Sequence, residues 1–137
     1  MPNTITYNLN ELPKVASTLL QQAGSRKIWL FKGEMGTGKT TLIKEICKQL
    51  GVVSNMSSPT FALVNTYETT SGKPVYHFDL YRLKKMEELA GIGFSEYIES
   101  GNYCFIEWPE MVEEKMEDVF NLKIEMSGNT RILISGF

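Results

Sequence analysis

The chain has 137 residues, 42% of them apolar and 22% charged, which is enough for one domain with a real core and too few for two. Its net charge of −2, from 14 basic and 16 acidic side chains, comes without any long basic run. That argues against a protein that grips RNA by itself, and for a protein partner. No apolar run approaches the length of a membrane span, no signal-peptide pattern opens the chain, and Cys47 and Cys104 are far apart with no metal spacing. Two buried thiols in a reducing cytoplasm are expected, with neither a disulfide nor a membrane contact.

In chain order, Thr4 to Asn8 predicts a short edge strand, and Asn10 an N-cap for a helix over Glu11 to Ala23. Pro13 falls in the first turn of that helix and Gly24 ends it. Lys27 to Lys32 reads as a buried strand. Lys39 to Leu50 reads as a helix with Leu42, Ile43, Ile46 and Leu50 on one face, closed by Gly51. Val52 to Pro59 is a loop of small residues. Phe61 to Tyr67 and Pro74 to Tyr81 predict paired strands around a turn at Thr69 to Lys73. Leu83 to Ala90 and Phe94 to Ser100 are short helical pieces split by Gly91 and Gly93, and Asn102 to Trp108 is a hydrophobic strand. Pro109 to Met116 predicts a helix with proline at its first position. Val119 to Met126 and Arg131 to Ser135 form a closing hairpin. The whole chain, 1–137, is then one α/β domain with a mixed parallel and antiparallel sheet.

Between the buried strand and its helix lies Gly33-Glu34-Met35-Gly36-Thr37-Gly38-Lys39-Thr40-Thr41. Gly33, Gly38, Lys39 and Thr40 satisfy G-x-x-x-x-G-K-[ST], and strand, glycine loop and helix is the context that motif requires; with the mixed sheet this predicts a three-layer fold of the P-loop NTPase type. Glycines let the backbone wrap closely, so its N–H groups can face phosphate oxygens. Lys39 places an ammonium between β- and γ-phosphates, and the Thr40 hydroxyl serves Mg²⁺. The helix that follows turns its positive end toward the same anion.

A phosphoryl-transfer site also needs a carboxylate near the metal, a group that orients water and often a loop that senses the γ-phosphate. Asp79 ends the apolar run Val75 to Phe78, the position of a Walker B acid, or else caps its strand or pairs with a cation. Glu107 ends a second apolar run, Tyr103 to Ile106, where it prepares water for attack, helps hold Mg²⁺, or merely meets solvent. Thr60 sits in a Ser-Pro-Thr loop where a switch threonine belongs, although such loops are commonly plain turns. His77 is the sole histidine and reads as structural. Trp108 either stacks near a nucleotide or covers the core, and composition favours the core. No N-K-x-D guanine-reading motif is present, which favours ATP over GTP. The three arginines, Arg26, Arg82 and Arg131, do not cluster, against the charge clamp of a small-molecule kinase. A nucleotide-gated binding module with incidental hydrolysis is the other alternative.

Pro59-Thr60-Phe61-Ala62-Leu63-Val64-Asn65-Thr66-Tyr67, then His77-Phe78-Asp79-Leu80-Tyr81-Arg82-Leu83, then Ile106-Glu107-Trp108, in this order after a P-loop, resemble the TsaE (YjeE) family. The likeness runs from about Ile28 to Glu110; Glu34, Met35 and Thr37 stand where relatives more often carry Asp, Leu and Ala. The resemblance implies an ATPase with Mg²⁺ that supports threonylcarbamoyladenosine modification of tRNA together with TsaD and TsaB, meeting tRNA indirectly through that complex. It further implies that Thr60 is a switch threonine, Asp79 the Mg²⁺-associated acid, and Glu107 with Trp108 a strand-end pair beside the nucleotide.

Overall fold

The structure, a computed structural model, describes residues 2–54, 56 and 63–137. Its organising element is β2 (Ile28–Lys32), whose Trp29, Leu30 and Phe31 have no exposed surface. A strand apolar on both faces belongs in the middle of a sheet covered by helices on both sides. Accordingly β2 pairs in parallel with β5 (Tyr103–Glu107) and with β6 (Phe120–Ser127). The other strands are β1 (Asn3–Tyr7), β3 (Val64–Tyr67), β4 (Val75–Asp79) and β7 (Thr130–Ser135). They complete a seven-stranded sheet of order β1-β7-β6-β2-β5-β4-β3. β4 runs parallel to β5, whereas β1, β3 and β7 are antiparallel to their neighbours, so the sheet is mixed as expected.

Side chains alternate across each strand, and this splits the core in two. Trp29 and Phe31 face α1 (Leu12–Ala23) and α2 (Lys39–Gln49), packing with Leu19, Ile43, Ile46 and Phe105. Leu30 faces the other way with Phe78 and Ile106, against Leu89 of α3 (Met86–Gly91) and Phe94 and Tyr97 of α4 (Phe94–Glu99). Cys47 and Cys104 are free and buried, and burial pushes both thiols up to about 12, so neither offers a thiolate near neutrality.

Two local expectations need correction. The entry to α1 is not capped by Asn10; Leu9–Glu11 forms a 3₁₀ turn, and the Asn8 N–H donates to Glu11 Oε1 at 3.0 Å. The stretch Pro109 to Met116 is not an α-helix but two 3₁₀ turns, Pro109–Met111 and Glu113–Lys115. An α-helix there would stack Glu110, Glu113 and Glu114 along one face at i, i+3 and i+4, where like charges repel. By contrast Gly24 and Gly51 follow α1 and α2 with positive φ, as helix-ending glycines do. Of the strand expected over Phe61 to Tyr67, the described part is Val64–Tyr67.

Candidate functional site

The loop between β2 and α2 is closed by its own side chain and by two strands. Thr37 is buried and its hydroxyl donates to the Glu34 carbonyl at 2.9 Å, so this side chain braces the loop while Glu34, Met35 and Gly36 stand exposed on the crest. Gly33 lies against β6: a Cβ there would fall 2.7 Å from the Ile124 carbonyl oxygen. Arg131 of β7 reaches the outside of the loop, where its Nε donates to the Thr37 carbonyl at 3.1 Å and its guanidinium covers Gly38. The outward carbonyls are thereby tied back. A hydrogen bond at a partly exposed site holds about 1 kcal/mol net, so if the loop binds a phosphate ligand, Arg131→Ala is expected to weaken that affinity about fivefold. Titration calorimetry checks this; unchanged affinity means that the guanidinium merely rests on the loop.

Lys39 begins α2, and it is not in the solvent-facing position that its place in a glycine loop suggests, being only 5% exposed. Its Nζ donates to the Gly33 carbonyl and lies 3.4 Å from the centroid of the Trp108 ring, a cation–π contact. Burial pulls the Lys39 pKa down, opposed by the carboxylates of Glu107, Glu110, Asp79 and Glu34. Trp108 reaches this place because it adopts a left-handed conformation, φ 56 and ψ 59, immediately before Pro109. A non-glycine residue in that region carries strain that the surroundings must hold, a common condition at functional sites. The indole also packs on Tyr81, with ring centroids 4.8 Å apart, and on the α3–α4 side of the core, which is the core-covering setting that composition favoured.

One residue further along α2, Thr40 Oγ1 lies 2.9 and 3.0 Å from the two oxygens of Glu107. Glu107 is 3% exposed, and its Oε2 is also 2.6 Å from Nε2 of the fully buried His77. His77 Nδ1 is in turn 2.8 Å from the Tyr67 hydroxyl. Asp79 is the register partner of Glu107 across the parallel β4–β5 pair, and its Oδ1 accepts from the Tyr81 N–H at 3.1 Å. The oxygen donors suit a hard cation. Among the described residues no group of three or more His, Cys, Asp or Glu side chains would hold a metal by itself. Mg²⁺ takes one or two protein carboxylates and completes its shell with phosphate and water, so Thr40, Glu107 and Asp79 are the residues that could hold it.

The structure therefore brings together Gly33, Gly38, Lys39, Thr40, Glu107 and Trp108, with Asp79 at the next strand end; Thr41 is exposed on α2, and Thr60 lies outside the described residues. A cleft of about 620 Å³ opens beside them, between Gly33 and Met35 of the loop and Ile124 and Met126 of β6, with Trp108 in its wall. Sequence reasoning passed over Tyr67 and Arg131, and it treated His77 apart from the site. For His77 a signal existed: it stands two residues before Asp79, on the same face of β4.

Residues 6–133 match the family model described as "Threonylcarbamoyl adenosine biosynthesis protein TsaE". The chain is 43% identical over 110 residues to the tRNA threonylcarbamoyladenosine biosynthesis protein TsaE of Rickettsia felis, covering 80% of this chain and 63% of that protein. The Haemophilus influenzae protein of the same name is 41% identical over 98 residues, covering 71% of this chain and 61% of that one. The chain thus spans less than two thirds of the length of these two relatives. The Bacillus subtilis TsaE is 29% identical over 125 residues, covering 90% of this chain and 77% of that protein. Among solved structures, Bacillus subtilis YdiB superposes with a TM-score of 0.69 at 23% identity, covering 98% of this chain and 86% of that one, a likeness of fold. On the family match over nearly its whole length, the chain belongs to the TsaE family.

Proposed function

We propose that this chain is a Mg²⁺-dependent ATPase of tRNA threonylcarbamoyladenosine biosynthesis, working with TsaD and TsaB partners and meeting tRNA through them. The observation that carries the reading is the Thr40–Glu107 contact at the head of α2, beneath a complete phosphate loop. A threonine that gives its proton to a carboxylate keeps its lone pairs for a metal. Glu107 and Thr40 would then hold the metal, with Asp79 beside them at the neighbouring strand end. A Mg²⁺ ion held there would supply charge neutralisation for phosphoryl transfer.

The chain's own groups do the remainder. Loop N–H groups orient the phosphates, and Lys39 leaves the Gly33 carbonyl and the Trp108 face for the β- and γ-oxygens. Trp108 limits access of bulk water to that ammonium. Water activation by Glu107 is less well supported than metal holding, because both carboxylate oxygens are already engaged by Thr40 and His77. Thr60 is assigned as the switch threonine on motif order alone. The dispersed arginines support hydrolysis over transfer to a small acceptor: Arg26 pairs with Asp118 and Arg131 is spent on the loop.

Phosphate release measured against Mg²⁺ concentration, with no added acceptor, tests this. Glu107→Gln is expected to raise the half-saturating Mg²⁺ and to lower Mg²⁺-dependent ATP affinity and turnover together. Asp79→Asn should produce a smaller shift in the same direction. A Glu107→Gln variant that loses rate alone, with unchanged affinity and Mg²⁺ dependence, returns Glu107 to water activation. The absence of Mg²⁺-dependent phosphate release, alone and with TsaD and TsaB added, overturns the ATPase reading.

A further inference from the structure

We propose that His77 and Tyr67 are positioning residues for the Glu107 carboxylate, forming with Thr40 a buried diagonal chain of hydrogen bonds that fixes the metal-side oxygens before nucleotide arrives. This rests on the metal-holding reading of Glu107 given above. The geometry follows from strand register. Asn65 pairs with His77 and His77 with Phe105, so Tyr67 and Glu107 are each two residues along from His77's register partners, on opposite flanks and the same face. The line therefore crosses β3, β4 and β5 and ends at α2.

Its donors have one consistent direction. Glu107 as a carboxylate only accepts, so Thr40 Oγ1–H and His77 Nε2–H must both donate to it. An imidazole protonated at Nε2 alone presents Nδ1 as an acceptor, which the Tyr67 hydroxyl fills at 2.8 Å. Burial raises the Tyr67 pKa, so the phenol keeps the proton it donates. Each member thus fixes the tautomer and angle of the next. A carboxylate with free torsions would sample orientations that do not face Thr40. The partners behind a metal ligand set its orientation, and their loss typically costs about 10–100-fold in metal affinity.

A purely structural histidine makes a different demand. It would tolerate any replacement that fills its volume, and the phenolic oxygen of Tyr67, which touches neither Thr40 nor Glu107, would be irrelevant to the metal. The test follows Mg²⁺-dependent binding of a fluorescent ATP analogue, alongside its binding in EDTA and the melting temperature, for Tyr67→Phe, His77→Leu, His77→Gln and Glu107→Gln. His77→Leu should raise the half-saturating Mg²⁺ about 10–100-fold, with binding in EDTA within about twofold of the parent. Tyr67→Phe should raise it several-fold, and His77→Gln, whose amide nitrogen reaches the Nε2 position, should recover most of the loss.

If Glu107→Gln shifts the Mg²⁺ midpoint but Tyr67→Phe does not, the positioning role is wrong while the metal reading stands. If binding in EDTA falls in parallel with Mg²⁺-dependent binding, the chain is only structural and the proposal fails. If Glu107→Gln itself causes no shift, the metal reading falls and takes this proposal with it. Should His77→Leu not fold, Tyr67→Phe decides alone, since it removes one atom and retains the ring.

Discussion

Lys39→Ala is expected to cost the protein its ATP binding while leaving its fold in place. The ammonium occupies the mouth of the loop against the Gly33 carbonyl and the Trp108 face, where burial and four surrounding carboxylates act on it in opposite senses. An incoming polyphosphate supplies the opposite charge at close range. A hydrogen bond to a charged group holds about 1.5–3 kcal/mol, so affinity should fall about 10–100-fold. The scaffold gives little reason to fail, because alanine is the best helix former and this position opens α2. Circular dichroism should overlay that of the parent while calorimetry with MgATP shows weak binding or none. Parental affinity and turnover in this variant would end the phosphate-loop assignment.

Gly33→Ala should damage both ligand binding and stability. Gly33 has φ +150, and a Cβ would sit 2.7 Å from the Ile124 carbonyl oxygen and 2.9 Å from Thr37 Oγ1. The first obstacle is backbone of β6, which cannot turn aside as a side chain can. The second is the hydroxyl that braces the loop against Glu34. Conformational strain of about 1–3 kcal/mol adds to the displacement, which for a chain of this size lowers the melting temperature by roughly 5–15 °C. ATP affinity should fall with it, since the loop wall and the cleft share Ile124. Gly36→Ala is the control: no atom lies within 4 Å of its Cβ, so only the strain of φ +83 remains. Equal melting points and affinities for the two variants would show that the β6 contact does not shape the loop.

The parts of this molecule that are local in sequence were legible in advance. β2, the loop and α2 are contiguous, and their pattern states the strand, turn and helix that the structure shows. The strand-end acids were found for the same reason: Asp79 and Glu107 each close an apolar run. The neighbours within the hairpins, β3–β4 and β6–β7, were read from their turns; what could not be read was the order of the parallel strands. The nearness of Glu107 to Thr40 and of His77 to Glu107 depends on β5 sitting between β2 and β4 in one register, which no local signal specifies. Arg131 was overlooked because its contact with Thr37 spans 94 positions of chain. The Pro109 to Met116 turns were misread because a proline at a helix start is a strong local cue, and the repulsion among Glu110, Glu113 and Glu114 opposes it.

The central place of β2 also dictates when the site can exist during synthesis. Both neighbours of β2 arrive late: β5 ends at Glu107 and β6 begins at Phe120. A nascent chain that has delivered the glycine loop and α2 still lacks the carboxylate for Thr40 and the Ile124 wall behind Gly33. Nucleotide therefore cannot template early folding on the ribosome, because loop closure over such separations precedes any binding site. Under the proposed nucleotide reading, any stabilisation by ligand begins only once β6 has docked, and from then on it rises with the logarithm of ligand concentration.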